Sequence, residues 1–270
     1  MRENVVGRFD AIVIHHRELG STSDEAKRLL AAGSPAPPFV VRADRQTAGR
    51  GRPGRSWWSD AGSLTFTVGL DPRACGLNAF HWPRIALATA VGIIEALEPP
   101  LPPGTLGIRW PNDLEAAGRK LAGLLPELVE TPHGPRLALG IGLNVTTDLT
   151  AAPPEVRPMA TSLAALLGRP LSLDEVLDRV LDRLGTVLAA LARDDPALAE
   201  RWSRRDTLLG RPVRIDQSGA ILSGVGRGVD PRGVLWVESQ GRLVPISGGQ
   251  VLRGEPNPLP PEDGGSAADG

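Results

Sequence analysis

Gly49-Arg50-Gly51-Arg52-Pro53-Gly54-Arg55-Ser56, followed by Leu64-Thr65-Phe66-Thr67-Val68-Gly69-Leu70, is the stretch whose reading separates the possible folds. Its glycines match two nucleotide-binding patterns. Gly49, Gly51 and Gly54 fit G-x-G-x-x-G, and Gly49 and Gly54 with Arg55-Ser56 fit a Walker A loop with arginine in the lysine slot. Both patterns need a helix directly after the glycines, because its free amides and dipole meet the phosphate. Here Leu64, Phe66, Val68 and Leu70 alternate with Thr65, Thr67 and Gly69, so a strand with one exposed face is expected instead. That context excludes both motifs. An RGG-type RNA contact is disfavoured too, since the segment is short, unrepeated and set between strands. A flexible lid remains. Its glycines let amides approach an anion, Arg50, Arg52 and Arg55 add charge-assisted donors, and Trp57 and Trp58 offer flat surface to a ring. A solvated basic loop with two tucked-in tryptophans is the plainer alternative, and the loop alone leaves it open.

Working outward, residues 8–16 read as a strand, and Thr22 with Glu25 fits a capping box for a helix that Gly33 and the following prolines stop. Phe39-Val40-Val41 begins another strand. Residues 82–97 read as a helix, Ile108 and Trp110 as a short strand, and 120–129 with 136–145 as adjacent strands. Pro126 interrupts the first of that pair, which places it at an edge or a bulge. Ser172 and Glu175 open the clearest amphipathic helix, and Asp195-Pro196 starts a shorter one reaching about Arg205. After Asp206 short strands alternate with Gly, Asp, Pro and Ser turns, the pattern of a small β-barrel. Residues 255–270 are low-complexity and are expected to be disordered.

Composition narrows the function. The chain has 270 residues and a formal net charge of −1, which argues against binding nucleic acid by general phosphate attraction. One cysteine, Cys75, rules out an internal disulfide framework and any multi-cysteine zinc site, and four histidines make a dense metal cluster improbable. No run is apolar enough for a signal peptide or a membrane span, so a cytoplasmic protein without membrane contact is expected. Of thirty basic residues only two are lysine, Lys27 and Lys120. In so arginine-rich a chain, a lysine hints that a compact ammonium is wanted.

A second cluster gives Lys120 a setting. Arg109-Trp110-Pro111-Asn112-Asp113-Leu114 is followed by Gly118-Arg119-Lys120-Leu121-Ala122-Gly123. Across a tight turn, Asp113 and Lys120 could converge: a cation for an oxyanion, and a carboxylate to hold that cation or a metal. A surface hairpin with an ordinary ion pair would look the same and contribute little.

Together these segments resemble the biotin–protein ligase family. Gly20-Ser21-Thr22-Ser23 resembles its biotin-binding turn, Gln46 to Arg55 its adenylate loop, and Arg109–Leu114 its K-W-P-N-D-L segment. Arg119–Gly123 resembles its R-K-L-A-G strand and Gly140–Asn144 its G-I-G-x-N segment. Three positions depart from the family pattern: Ser23 stands for asparagine, Arg109 for lysine and Pro126 for valine.

The resemblance implies an α+β protein. A mixed-sheet catalytic domain of the class II synthetase-like, biotin–lipoate ligase fold would span 1–206, with a C-terminal SH3-like barrel over 207–254. It implies ATP-dependent formation of biotinyl-5′-AMP and transfer of the biotinyl group to a lysine of a biotin carboxyl carrier protein of acetyl-CoA carboxylase or a related carboxylase. By the same analogy Lys120, Arg50, Arg52 and Asp113 carry the chemistry. Biotin falls to Ser21, Thr22, Ser23, Gln46, Gly49, Arg50, Lys120, Gly123, Gly140 and Gly142. Adenylate falls to Arg50, Gly51, Arg52, Gly54, Arg55, Trp57, Asn112, Lys120 and Asn144, with Asp113 a ligand for Mg²⁺ and Arg253 a phosphate contact. The biotin turn begins at Gly20, so no helix-turn-helix and no sequence-specific DNA binding are expected, and the protein would act as a monomer or homodimer. A lipoate- or octanoate-transferring relative would share the fold, but its Gly-Gly-Gly run and His-Asp pair are missing. A non-catalytic biotin-binding regulator is the other rival, and the intact Lys120 and loop glycines argue against it.

Overall fold

The computed structural model describes residues 11–52 and 55–253. Strand β1 (Ile12–Leu19) lies parallel to β2 (Phe39–Gln46), and α1 (Thr22–Ala32) makes the crossover that parallel neighbours require. Of the strand expected over 8–16, residues 8–10 fall outside the described part. The strand continues to Leu19 because β2 goes on pairing as far as Gln46. The helix start also differs from expectation. Ser21, not Thr22, is the N-cap, its Oγ accepting from the Asp24 amide, while the Thr22 hydroxyl is held by Gln46 and Thr67 and is unavailable for capping. Gly33 closes α1 in the left-handed region, at φ 69°.

The remaining elements of this layer are β3 (Ser63–Leu70), α2 (Trp82–Leu97), β4 (Gly107–Arg109), β5 (Asp113–Ala116), β6 (Arg119–Thr131) and β7 (Gly134–Asn144). Helices α3 (Leu163–Leu167), α4 (Leu173–Ala192) and α5 (Pro196–Ser203) follow. Trp110 lies just past β4. The strands form one mixed sheet in the order β1-β2-β3-β7-β6-β5-β4, antiparallel except for β1 and β2. Pro126 pairs with Leu139 of β7, and β5 covers β6 only up to Gly123, so the other side of Pro126 faces no strand, as the edge reading expected.

Strand alternation sorts the two faces. Val40, Leu64, Phe66, Val68, Leu70, Leu139, Ile141 and Leu143 join α2 and α4 in the main core. Phe39, Val41 and Ala138 face the other way and pack under Ala26, Leu29 and Leu30 of α1. Strand β3 is therefore buried on both faces, not exposed on one. The threonines fooled the pattern because their hydroxyls find partners: Thr65 donates to the Ala43 carbonyl and Thr67 to Thr22.

The C-terminal strands β8 (Pro212–Gln217), β9 (Ala220–Val229), β10 (Leu235–Ser239), β11 (Arg242–Ile246) and β12 (Gln250–Val251) form a second, antiparallel sheet in the order β11-β10-β9-β8-β12. Its size would limit an isolated core. Instead Val213, Ile215, Leu235, Val237 and Ile246 run continuously into the main core, and Trp110 Nε1 donates to the Gly233 carbonyl at 3.0 Å. Among the described residues no helix is long and apolar enough to cross a membrane.

Asp206 sits where the chain passes between the sheets. Burial raises its carboxyl above the usual range, against a hydrogen bond from the Leu208 amide. A raised folded-state value means the folded protein holds this proton more tightly than the unfolded chain. The charge therefore costs stability at neutral pH, and that cost disappears as pH falls below the unfolded value of about 3.9. Asp206→Asn should raise Tm relative to the parent at pH 7–8 and lose that advantage at about pH 3.5. Melting curves across this range check it, and an advantage that grows on acidification contradicts it.

Candidate active site

The site lies on the α1 face of the sheet, beyond the helix, where the facing positions become glycine. Gly140 and Gly142 of β7 pair with Thr67 and Thr65 on one side and with Leu125 and Gly123 on the other. Two-residue periodicity alone would put Gly123 and Lys120 on opposite faces. A β-bulge resolves this: pairing slips between Leu114 and Glu115, Leu121 and Ala122 both enter the core, and Lys120 returns to the glycine face. The β5–β6 turn is two residues, Ala117 (φ 48°) and Gly118 (φ 75°), as a type I′ hairpin requires. The Thr161 amide bonds the Lys120 carbonyl at 2.9 Å and fixes the backbone from the far side.

The described ends of the glycine–arginine loop pair with each other. Arg50 bridges to Ser56, the Gly51 amide bonds the Arg55 carbonyl, and the Trp57 amide bonds the Gly49 carbonyl at 2.8 Å. Gly54 lies outside the described residues. The Trp57 indole lies across the glycine floor: a Cβ on Gly142 would fall 2.5 Å from its ring, and one on Gly123 would fall 3.2 Å away. Lys120 Nζ stands 5.5 Å from the centroid of that ring.

Around this floor opens a cavity of about 660 Å³. Among the described residues Arg50, Arg52, Arg55, Arg109, Lys120 and Arg253 line it against the acids Asp113, Glu155 and Asp216, so the field of the described lining favours anions. Burial lowers the Arg52 guanidinium, with Arg55 acting in the same direction and Asp113 opposing. Burial likewise lowers Arg109, helped by Arg253 and opposed by Glu115 and Asp113. Arg52 donates to the Gly249 carbonyl at 2.7 Å and Arg109 to that of Leu252 at 3.0 Å, so the second sheet borders this end. Arg50 is held at the rim by Asp24 and by Glu127, and Lys27 reaches the same two carboxylates. Lys27 of α1 thus belongs to the Arg50 network.

Asp113 accepts from Lys120 at 2.7 Å and faces Arg253 at 3.4 Å. This donor set does not fit a protein-held Mg²⁺, because the one carboxylate is already shared by two cations and Glu115 is turned to Arg253 as well. The shorter of its contacts ties Asp113 to Lys120. For the adenylate formation that the resemblance implies, Asp113→Asn should slow the rate about tenfold, the scale of one charge-assisted hydrogen bond, and leave the Mg²⁺ concentration for half-maximal rate unchanged. A rate titration with Mg²⁺ on both proteins checks this, and a raised Mg²⁺ requirement would return the metal role to Asp113.

The opposite end is neutral and polar. Gln46 Oε1 accepts from the Thr22 amide at 2.8 Å and from the Thr22 hydroxyl at 3.1 Å. Ser23 Oγ lies over Gly140, 2.8 Å from where a Cβ would stand. Thr22, Ser23 and Gln46 line the cavity; Ser21 does not, its hydroxyl being spent as the cap. Gly49 is also outside the lining, and a Cβ there would meet the Trp57 carbonyl at 2.3 Å, so its part is to seat the lid. Asn112 and Asn144 line the cavity with their amides tied to the Leu124 and Thr161 carbonyls. Sequence reading missed Thr67, and it missed the walls supplied by Leu149, Val156 and Met159 and by Asp216 and Ser218. None of these carries a local motif.

One cavity thus joins a neutral hydrogen-bonding pocket, a flat apolar floor, a lysine and an arginine cluster. Residues 18–144 match the model of the Biotin/lipoate A/B protein ligase family. The chain is 34% identical to the biotin--[acetyl-CoA-carboxylase] ligase of Mycobacterium tuberculosis, covering 87% of this chain and 86% of that one. It belongs to the biotin protein ligase family. The biotin--[acetyl-CoA-carboxylase] ligase of Paracoccus denitrificans is 31% identical, covering 80% of this chain and 89% of that one. The biotin protein ligase of Aquifex aeolicus, solved in complex with biotin and ATP, superposes with a TM-score of 0.77 at 27% identity, covering 89% of this chain and 97% of that one. The mixed sheet with its flanking helices is the biotin protein ligase fold, and the second sheet is compatible with an SH3-like domain.

Proposed function

We propose that this ligase activates biotin with ATP and transfers it to a lysine of the biotin carboxyl carrier protein of an acetyl-CoA carboxylase. The observation that carries the reading is the placement of Lys120 Nζ over the glycine floor, between the neutral pocket and the arginines. A bicyclic urea fits the Thr22–Ser23–Gln46 end, its valeryl chain crosses the floor, and its carboxylate arrives beside Lys120. The carboxylate oxygen attacks the α-phosphorus of ATP and pyrophosphate leaves, forming the acyl adenylate. The carrier lysine, as free amine, then attacks the acyl carbon, AMP leaves and the amine proton is lost.

The first step brings two anions together, so electrostatic stabilisation dominates its barrier. Lys120 is suited to both, because a compact ammonium on a flexible stem can follow charge from carboxylate to phosphate. Arg50, Arg52 and Arg55 supply planar donors for phosphate oxygens, and Trp57 a wall for the nucleotide. Any Mg²⁺ comes with the nucleotide, since the residues present do not build its site. Closing the lid would keep water from the anhydride. Residues 207–254 are read as an SH3-like module that completes the phosphate end.

The test is transfer of labelled biotin to a carrier domain with ATP. One biotin incorporated per AMP and pyrophosphate formed is the expected result. Labelling by lipoate in preference to biotin, or no labelling, overturns the assignment.

A further inference from the structure

Thr67 lies outside the cavity lining, fully buried in β3, yet it stands at the centre of the polar end. Four side chains there form a chain of hydrogen bonds whose direction can be derived. The Thr22 amide can only donate, and it points at Gln46 Oε1 from 2.8 Å, so that atom is the carbonyl oxygen and cannot donate back. The Thr22 hydroxyl, 3.1 Å from the same oxygen, must therefore give its proton to Gln46. With that proton spent, Thr22 accepts from Thr67 at 2.9 Å. Thr67 has then spent its own proton, so at 3.3 Å it accepts from Ser23. Each hydroxyl has a single proton, and each is committed.

The two end residues of this chain, Ser23 and Gln46, both line the cavity and differ in what they have left to offer. Ser23 keeps lone pairs without a free proton, and Gln46 keeps its Nε2 amide protons without a free acceptor. We propose that Thr67 is a specificity-determining positioning residue, whose hydroxyl commits the Ser23 oxygen to accept a ring N–H of the ligand. This rests on the biotin reading above and deepens it. A cyclic urea carries N–H donors beside a carbonyl acceptor and matches both ends. A dithiolane ring carries neither, and would leave Ser23 and Gln46 unpaired and desolvated, which is how sites built to hydrogen-bond reject analogues. The same pocket would also refuse a ring that offers Ser23 only an acceptor.

The experiment compares the parent, Thr67→Val and Thr67→Ser by calorimetric titration with biotin, with a biotin analogue methylated on both ureido nitrogens, and with ATP. Valine keeps the shape and removes the relay; serine keeps the relay and removes a methyl. Thr67→Val is expected to bind biotin about tenfold more weakly, the scale of one lost hydrogen bond. Thr67→Ser should stay within about threefold of the parent, and ATP binding should change in neither. The advantage of biotin over its dimethyl analogue should shrink in Thr67→Val. Parent-like biotin affinity in Thr67→Val, or an equal loss in both variants, overturns the relay while leaving the ligase reading intact. A parent protein that binds ATP but not biotin overturns the ligase reading, and the relay with it.

Discussion

Lys120→Ala lowers biotin-dependent ATP–pyrophosphate exchange by about a hundredfold to a thousandfold, the scale found when a donor aimed at developing negative charge is removed. The fold should survive. The Lys120 side chain is 30% exposed, its backbone stays bonded to Thr161, and Asp113 keeps a second cation in Arg253. Near-parental Tm with collapsed exchange is the expected pair of results, and full exchange activity would remove Lys120 from the mechanism. Lys120→Arg is the sharper variant. It keeps the charge but replaces a point ammonium by a planar fork, in a space bounded by Asp113 at 2.7 Å and by the Trp57 ring. It should recover less than about a tenth of the parental rate. A fully active arginine variant would mean that charge alone suffices.

Gly142→Val is expected to weaken biotin binding about a hundredfold. The first added carbon would fall 2.5 Å from the Trp57 indole, which must then lift off the floor, and the remaining methyls would occupy the trough itself. Overpacking of this kind costs about 1–3 kcal/mol. Gly248→Ala is the matched control: no atom lies within 4 Å of its added Cβ, so affinity and Tm should stay as they are. Titration of both variants with biotin decides the matter. Unchanged affinity in Gly142→Val would show that the ligand does not use this floor.

The contrast between these two glycines shows what local sequence can and cannot express. Gly142 and Gly248 each sit in a short glycine-containing run, and only the strand stacked beneath Trp57 makes one of them indispensable. Ser21 and Thr22 make the same point. Either could cap α1 by its side-chain chemistry, and the choice fell to Ser21 because Gln46 and Thr67, 24 and 45 residues beyond Thr22, had claimed the other hydroxyl. Strand β3 reads as half-exposed but is buried on both faces for a related reason. Threonine reads as a solvent-facing residue until a partner for its hydroxyl is known, and Thr65 and Thr67 find theirs in β2 and α1.

Read alone, the sequence determined the class of this protein. A glycine–arginine loop that runs into a strand excluded two nucleotide-binding folds, and the resemblance of the ordered motifs to the biotin–protein ligase family implied one site for Lys120, Asp113 and the loop. Those signals are local, carried by residue type and spacing. The tertiary structure decided polarity and facing. It set the bulge that turns Lys120 and Gly123 to one side, the arginine–carboxylate network that enlists Lys27, and the buried hydroxyl of Thr67 that orients Ser23. Each depends on groups far apart in the chain, which are tied to one another only when the sheet closes around them.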